Sequence, residues 1–213
     1  MIIAVDGPGG TGKSTVSRKL ADRLGWLHLD TGAFYRAATL AVLRTGIEIS
    51  DHSDQITAAV RDREYVQEGG RMFLDGEDVS AEIRSSEVTA AVSAISALPD
   101  LRLIMVALQR GWVARHGGDV VVEGRDIGTV VFPDANLKIW LSASAEERAR
   151  RRALQTKRDH ESVRKELDRR DRADSGRKAS PLTPADDAIH LDTTAMTAEE
   201  VVDRIMALIP GER

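Results

Sequence analysis

Apolar positions along the chain fall into two patterns, short unbroken runs and longer stretches in which they recur every three or four residues. The opening "IIAV" reads as a short buried strand, followed by a glycine-rich turn and a helical pattern from Ser14 to Leu24 that Gly25 ends. A second strand follows in "WLHLD", and helical spacing resumes from Thr31 to Arg44, with Thr31 as a candidate N-cap. From Gly46 to Ser86 the chain turns polar, and "EYVQEGGRMFLDGEDVS" alternates around Glu68-Gly69-Gly70 and Asp75-Gly76 as a small antiparallel hairpin would. Helical periodicity returns at Glu87, breaks at Pro99 and runs on to Gly117; "DVVVEG" and "NLKIWLSA" are two more buried strands. A long polar helical stretch, Ala145 to Lys178, precedes a last strand in "AIHLD", a threonine cap and an amphipathic closing helix. Strands alternating with helices predict an α/β fold with a parallel, doubly wound sheet.

Composition narrows this picture. With 213 residues, 42% of them hydrophobic, the chain supports one folding unit with appended lobes. The net charge of −4 supplies no global positive field for nucleic acid or anionic lipid. No cysteine is present, and the five histidines lack metal-ligand spacing, which excludes disulfide staples and thiolate metal sites. The run "MIIAV" is too short for a signal segment, and no stretch has the length of a membrane span, so a soluble, cytoplasmic protein is expected. Between Ala145 and Lys178, thirteen Lys or Arg face eight Asp or Glu. No aromatic residue follows Trp140, so this basic excess has no platform on which bases could stack. A lid whose arginines close over a phosphoryl group fits it better, most of Arg148, Arg151, Arg152 and Arg158 being solvated or paired with Glu.

The chemistry starts at Gly7-Pro8-Gly9-Gly10-Thr11-Gly12-Lys13-Ser14, which fits G-x-x-x-x-G-K-[ST] between a strand and a helix. Such a loop wraps a phosphate chain in backbone N–H groups. Lys13 would reach the β- and γ-phosphates and the Ser14 hydroxyl would bind Mg²⁺. Nucleotide binding follows, but not the choice between kinase, GTPase and mechanical ATPase. No N-K-x-D sequence reads guanine, and "DVVVEG" offers a single carboxylate, Glu123, as either a guide for metal-bound water or a polar strand end. Three further groups look like parts of a second site. Thr31, Tyr35 and Arg36 lie where a strand gives way to a helix, Arg125 and Asp126 follow another strand, and Arg170, Asp174 and Arg177 share a helical face if the helix persists to Arg177. Arginine suits phosphate because its planar fork bonds two oxygens at once.

Taken together, "DGPGGTGKST", "LDTGAFYRA", "EGRDIGTVVFPDA", "RRDRADSGRKASPL" and "AIHLDTT" closely resemble the bacterial cytidylate kinases, which phosphorylate CMP and dCMP from ATP. The resemblance implies a three-layer P-loop core (1–36, 87–144, 179–213), a monophosphate-binding lobe with a small hairpin (37–86) and a short helical lid (145–178). It also implies direct in-line transfer with Mg²⁺, ATP held by Gly7 to Thr15, and Lys13, Arg125 and Arg170 in the catalytic roles. Arg36, Arg125 and Arg170 would hold the acceptor phosphate, Thr31, Tyr35 and Asp174 would stand near the ribose, and Ser93, Arg102, Asp126 and Arg177 would surround cytosine. No nucleic acid or membrane partner is expected, and a monomer is the default because no long apolar stripe asks for a partner.

Overall fold

The computed structural model describes residues 1–48, 53–177 and 180–209; Lys178, the last of the basic stretch, lies outside the described residues. In chain order the elements are β1 (Ile2–Asp6), α1 (Lys13–Leu24), β2 (Leu27–Asp30), α2 (Thr31–Thr45), α3 (Ser53–Arg61), β3 (Tyr65–Glu68), β4 (Arg71–Leu74) and β5 (Glu77–Asp78). There follow α4 (Ser86–Ile95), α5 (Pro99–His116), β6 (Val120–Glu123), β7 (Leu137–Ser142), α6 (Ala145–Thr156), α7 (His160–Ser175), β8 (Ile189–Asp192) and α8 (Ala198–Met206). They group into two units, Met1–Leu29 with Gly117–Arg213, and Asp30–His116.

The first unit carries the five-stranded sheet, in the order β2-β6-β1-β7-β8. β1 pairs in parallel with β6 and β7, setting Ile3 opposite Val121 and Leu137, and β7 pairs in parallel with β8. Ile3, Ala4 and Val5 are all fully buried, the unbroken burial of a central strand covered on both faces. Val16 and Leu20 of α1 and Val201, Val202 and Ile205 of α8 pack in one cluster with Ile3, Val5, Ile139 and Leu141. Each such side chain contributes about 2 kcal/mol of burial. A reciprocal cap starts α8: the Thr197 hydroxyl accepts from Glu200 N while the Glu200 carboxylate accepts from Thr197 N. The strand order reverses at β1, so the ends of β1 and β6 form the edge at which such sheets hold ligands.

In this unit three details depart from the sequence expectations. The polar stretch after Ala145 forms two helices, because Lys157 takes a left-handed turn (φ 52°) and Asp159 caps a new start by accepting from Ser162 N. α7 stops at Ser175, so Arg177 stands just past it. After β6 the chain makes one π-helical turn, Ile127–Val131, which no apolar period announced.

In the second unit, α2 is capped by Asp30, whose side chain accepts from Ala33 N, and Thr31 is the first helical residue, not the cap. The polar segment forms three antiparallel strands, β3-β4-β5, where a single hairpin was expected. Each turn signal makes its own reversal: Gly69 and Gly70 have φ of 55° and 74°, Asp75 and Gly76 of 51° and 80°, as primed turns require. Phe34, Ile56, Val60, Met72, Ile83, Val92, Leu101 and Met105 are among the buried apolar residues of this unit. Among the described residues no single helix is long and apolar enough to cross a membrane.

Gly7 is the most crowded of the described glycines: its φ is 144°, and a Cβ there would lie 2.1 Å from the Leu141 carbonyl oxygen. Gly7→Ala is expected to cost more than about 3 kcal/mol of stability, read as a lower midpoint in denaturant unfolding. A midpoint equal to that of the unaltered chain would show that the β1–β7 backbone yields at no cost.

Candidate active site

The phosphate loop in the first unit needs a backbone that few side chains permit. Gly10 and Gly12 have φ of 79° and 92°, and Gly12 stands at the start of α1, with Lys13 and Ser14 as its first two residues. The loop is also crowded from outside. A Cβ on Gly9 would meet Leu167 at 2.9 Å, and one on Gly10 would meet the Arg148 carbonyl oxygen at 2.8 Å. Lys13 is buried, and its Nζ donates to the Pro8 carbonyl at 2.6 Å. Burial, then the Arg125 guanidinium, pull the Lys13 ammonium well below the ordinary lysine range, against the opposing pull of Glu123 and Asp6. An anion at the loop would relieve that strain. Thr11 is buried with its hydroxyl donating to the Pro8 carbonyl, and Thr15 is exposed on α1.

Ser14 Oγ donates to Glu123 Oε2 at 2.7 Å, and His28 Nε2 stands 3.1 Å from Glu123 Oε1. Burial alone would raise the Glu123 carboxyl, but His28, Ser14 and Lys13 outweigh it and hold the group below its ordinary range. Glu123 therefore stays ionised, a carboxylate aimed at the proposed metal ligand. Among the described residues no three His, Asp or Glu side chains cluster as a protein-only metal cage. Ser14 with an adjoining carboxylate is instead the sparse, hard-oxygen donor set on which Mg²⁺ bound to a nucleotide relies.

Beyond β6, Arg125 and Asp126 are held by a residue the sequence reading passed over. Asp6, the last residue of β1, accepts from Ile127 N at 2.9 Å and from Gly128 N at 2.8 Å, which fixes the turn that follows Asp126. Arg125 Nε lies 3.4 Å from Asp174 Oδ2, Arg170 Nε lies 3.9 Å from the same oxygen, and Arg177 bonds Asp174 Oδ1. Asp174 is 1% exposed, so one buried carboxylate faces three guanidinium groups. Arg177 joins this group although α7 has ended. Asp171, three residues before Asp174, accepts from Gly9 N at 3.2 Å, and Arg148 donates to Gly9 O at 2.9 Å and also pairs with Asp171. Arg148 is thus buried against the loop and not solvated, and Arg151 donates to the Thr193 hydroxyl at 3.1 Å as well as pairing with Glu147.

The second unit gathers its own set. The Arg102 guanidinium lies over the Tyr35 ring, 5.2 Å from its centroid, and its Nη1 donates to the Ser96 carbonyl at 3.1 Å. Arg36 Nη1 donates to Ile83 O at 3.0 Å and to Thr89 Oγ1 at 2.9 Å. Ser93 follows Thr89 by one turn of α4, and Thr31 is buried at the first position of α2. Periodicity could mark these residues polar but could not pair Arg102 with Tyr35, 67 positions earlier in the chain.

A parallel sheet whose first strand feeds a glycine loop, with lysine and serine opening the next helix, defines a P-loop nucleotide-binding protein. A family model described as cytidylate kinase matches residues 3–211, and the chain belongs to that family. A cytidylate kinase of Mycobacterium avium is 52% identical over 98% of this chain and 95% of its own length. Those of Nocardia farcinica and Caldanaerobacter subterraneus are each 50% identical, over 98% and 97% of this chain and 93% of each relative. Among solved structures, a protein from Eubacterium ventriosum aligns with a TM-score of 0.55 at 11% identity, over 98% of this chain and 97% of that one. TT1252 from Thermus thermophilus aligns with a TM-score of 0.52 at 19% identity, over 99% of this chain and 98% of that one. These two likenesses bear on the fold alone.

Burial pushes the Asp6 carboxyl from its ordinary 3.8 up to about 6, with the nearby Asp126 adding to the effect and the two amide donors resisting it. Its folded value lies above its unfolded one, so its contribution to stability is full below pH 4 and fades as pH rises through 6. The stability difference between the unaltered chain and Asp6→Asn should therefore shrink by up to about 3 kcal/mol from pH 4 to pH 7. Paired denaturant titrations measure this; a difference that stays flat or widens with pH would contradict the raised value.

Proposed function

We propose that the protein transfers the γ-phosphoryl group of ATP directly to the phosphate of CMP or dCMP, giving ADP and CDP or dCDP, within pyrimidine nucleotide metabolism. The observation that carries this reading is the group around Asp174, in the same unit as the phosphate loop: three arginines share one buried carboxylate. Clustered guanidinium groups suit an acceptor that already bears a phosphate, and membership of the cytidylate kinase family supports CMP as that acceptor.

In this reading Gly7 to Thr15 cradle the ATP phosphates and Lys13 stabilises the leaving β-phosphate. Ser14, with Glu123 beside it, is the donor set that would hold Mg²⁺, which would supply charge neutralisation at the nucleotide phosphates. Arg36, Arg125 and Arg170 would neutralise the acceptor phosphate and the group in flight. No covalent intermediate is needed, since positioning and charge stabilisation suffice for phosphoryl transfer. Thr31, Tyr35 and Asp174 would meet the ribose, and Asp174 also gathers three arginines. Cytosine offers a donor at N4 beside acceptors at N3 and O2, so Asp126 accepts from N4 while Ser93, Arg102 and Arg177 supply donors. Uracil presents an acceptor in place of N4, which would leave a buried carboxylate facing a like partner. The protein is further proposed to work as a cytoplasmic monomer without nucleic-acid or membrane partners.

A coupled assay for ADP release, run with each nucleoside monophosphate and with none, tests the whole reading. ADP release that depends on CMP or dCMP is expected, and equal ATP consumption without an acceptor would overturn it in favour of an ATPase. Arg125→Ala should lower kcat about a hundredfold or more while leaving the unfolding midpoint within the range of a surface change; near-normal turnover would remove Arg125 from the mechanism. Asp126→Ala should lower the CMP-to-UMP ratio of kcat/KM at least tenfold, and an unchanged ratio would deny Asp126 its base-reading role.

A further inference from the structure

β2, β6 and β1 are neighbours in the sheet in that order. His28 on β2, Glu123 at the end of β6 and Ser14 beyond the loop that leaves β1 accordingly form a line across one edge. Glu123 is gripped at both oxygens: Ser14 Oγ donates to Oε2 at 2.7 Å and His28 Nε2 meets Oε1 at 3.1 Å. An ionised carboxylate can only accept, so the His28 Nε2 carries the proton in this pair. The two side chains are 11% and 4% exposed, which leaves little water to replace either partner.

We propose that His28 is a positioning residue for nucleotide-bound magnesium, acting through Glu123. A carboxylate held at one oxygen only can swing about its own side-chain torsions. Held also at Oε1 by a ring whose place is set by the sheet, Glu123 keeps Oε2 against the Ser14 hydroxyl, and the two hard oxygens meet the cation as a fixed pair. Partners of this kind typically change metal affinity by about tenfold to a hundredfold. A merely structural histidine, present to satisfy a buried carboxylate, would affect nucleotide binding equally with and without the metal. The proposal rests on the Mg·ATP half of the function proposed above and not on the identity of the acceptor.

The test is calorimetric titration of the full chain with a non-hydrolysable ATP analogue, without acceptor, in excess Mg²⁺ and in EDTA, reading the ratio of the two Kd values. His28→Leu should reduce the metal-linked gain about tenfold, while His28→Gln, whose amide can still donate to Oε1, should keep it within about threefold. In the Glu123→Gln background, adding His28→Leu should change the ratio less than about twofold, because the interaction is already lost. A ratio near one in the unaltered chain, a full gain in His28→Leu, an equal loss in His28→Gln, or additive losses in the double variant would each overturn the proposal. If His28→Leu lacks a cooperative melt, His28→Asn, whose amide is too short to reach Oε1, replaces it with the same expected and overturning results. Because no acceptor is present, a chain that leaves CMP unphosphorylated could still pass this test, and a CMP kinase could fail it.

Discussion

Everything at the ligand edge of the sheet depends on one carboxylate placed where a parallel strand ends. Asp6 closes β1 and spends both oxygens on the amides of Ile127 and Gly128, across from it at the exit of β6. Two neighbouring strands could diverge once their ladder stops at Val5 and Glu123. Asp6 carries the pairing one step further, so the loop that holds Lys13 and the turn that holds Arg125 and Asp126 leave the sheet in fixed relation. The cost is a charge with little water around it, visible in a carboxyl pushed up to about 6. That cost is tolerable because the acceptors are matched to two amide donors that would otherwise be orphaned in a π-helical turn.

Charge at this edge is gathered around one buried carboxylate. Asp174 gathers Arg125, Arg170 and Arg177, and Lys13, close to Arg125, is driven well below its ordinary range. A structural ion pair balances itself, and a lone buried pair contributes little net stability after desolvation. Three arginines on one carboxylate form something else, a preorganised cationic group gathered by Asp174. The phosphate loop is tied to the same helix from its other side, through Asp171 at Gly9 N and Leu167 against Gly9. Two turns of α7 thus gather the arginines and touch the glycine loop.

Much of this was legible in the sequence, for reasons that differ by element. The buried strands were readable because a parallel sheet covered on both faces demands unbroken β-branched runs, as in "IIAV" and "VVV". The phosphate loop was readable because its glycines answer to backbone angles no other residue adopts cheaply. Asp30 was misread in favour of Thr31 because both are good caps, and one residue of register separates them. The two helices of the basic stretch were run together because Lys157 takes the left-handed turn that a glycine would have announced. Arg148 looked like one more member of a charge run, and only tertiary structure shows it bonded to Gly9, 139 positions away.

Residues that position others were the hardest to see, because their spacing carries no period. Asp6, His28 and Asp171 occupy ordinary places in the sequence, at a strand end, within a strand and on a polar helix. Each meets a partner more than ninety residues distant: Gly128, Glu123 and Gly9 respectively. A motif records groups that must touch a ligand through a single local stretch of chain. The groups that hold those motifs in register come from wherever the fold brings a side chain of the right reach. In a parallel sheet that place is the neighbouring strand, reached only after a long crossover. The phosphate chemistry is therefore written locally, in the loop, while its precision is written across the sheet, in a carboxylate at the end of each of two adjacent strands and a histidine on the third.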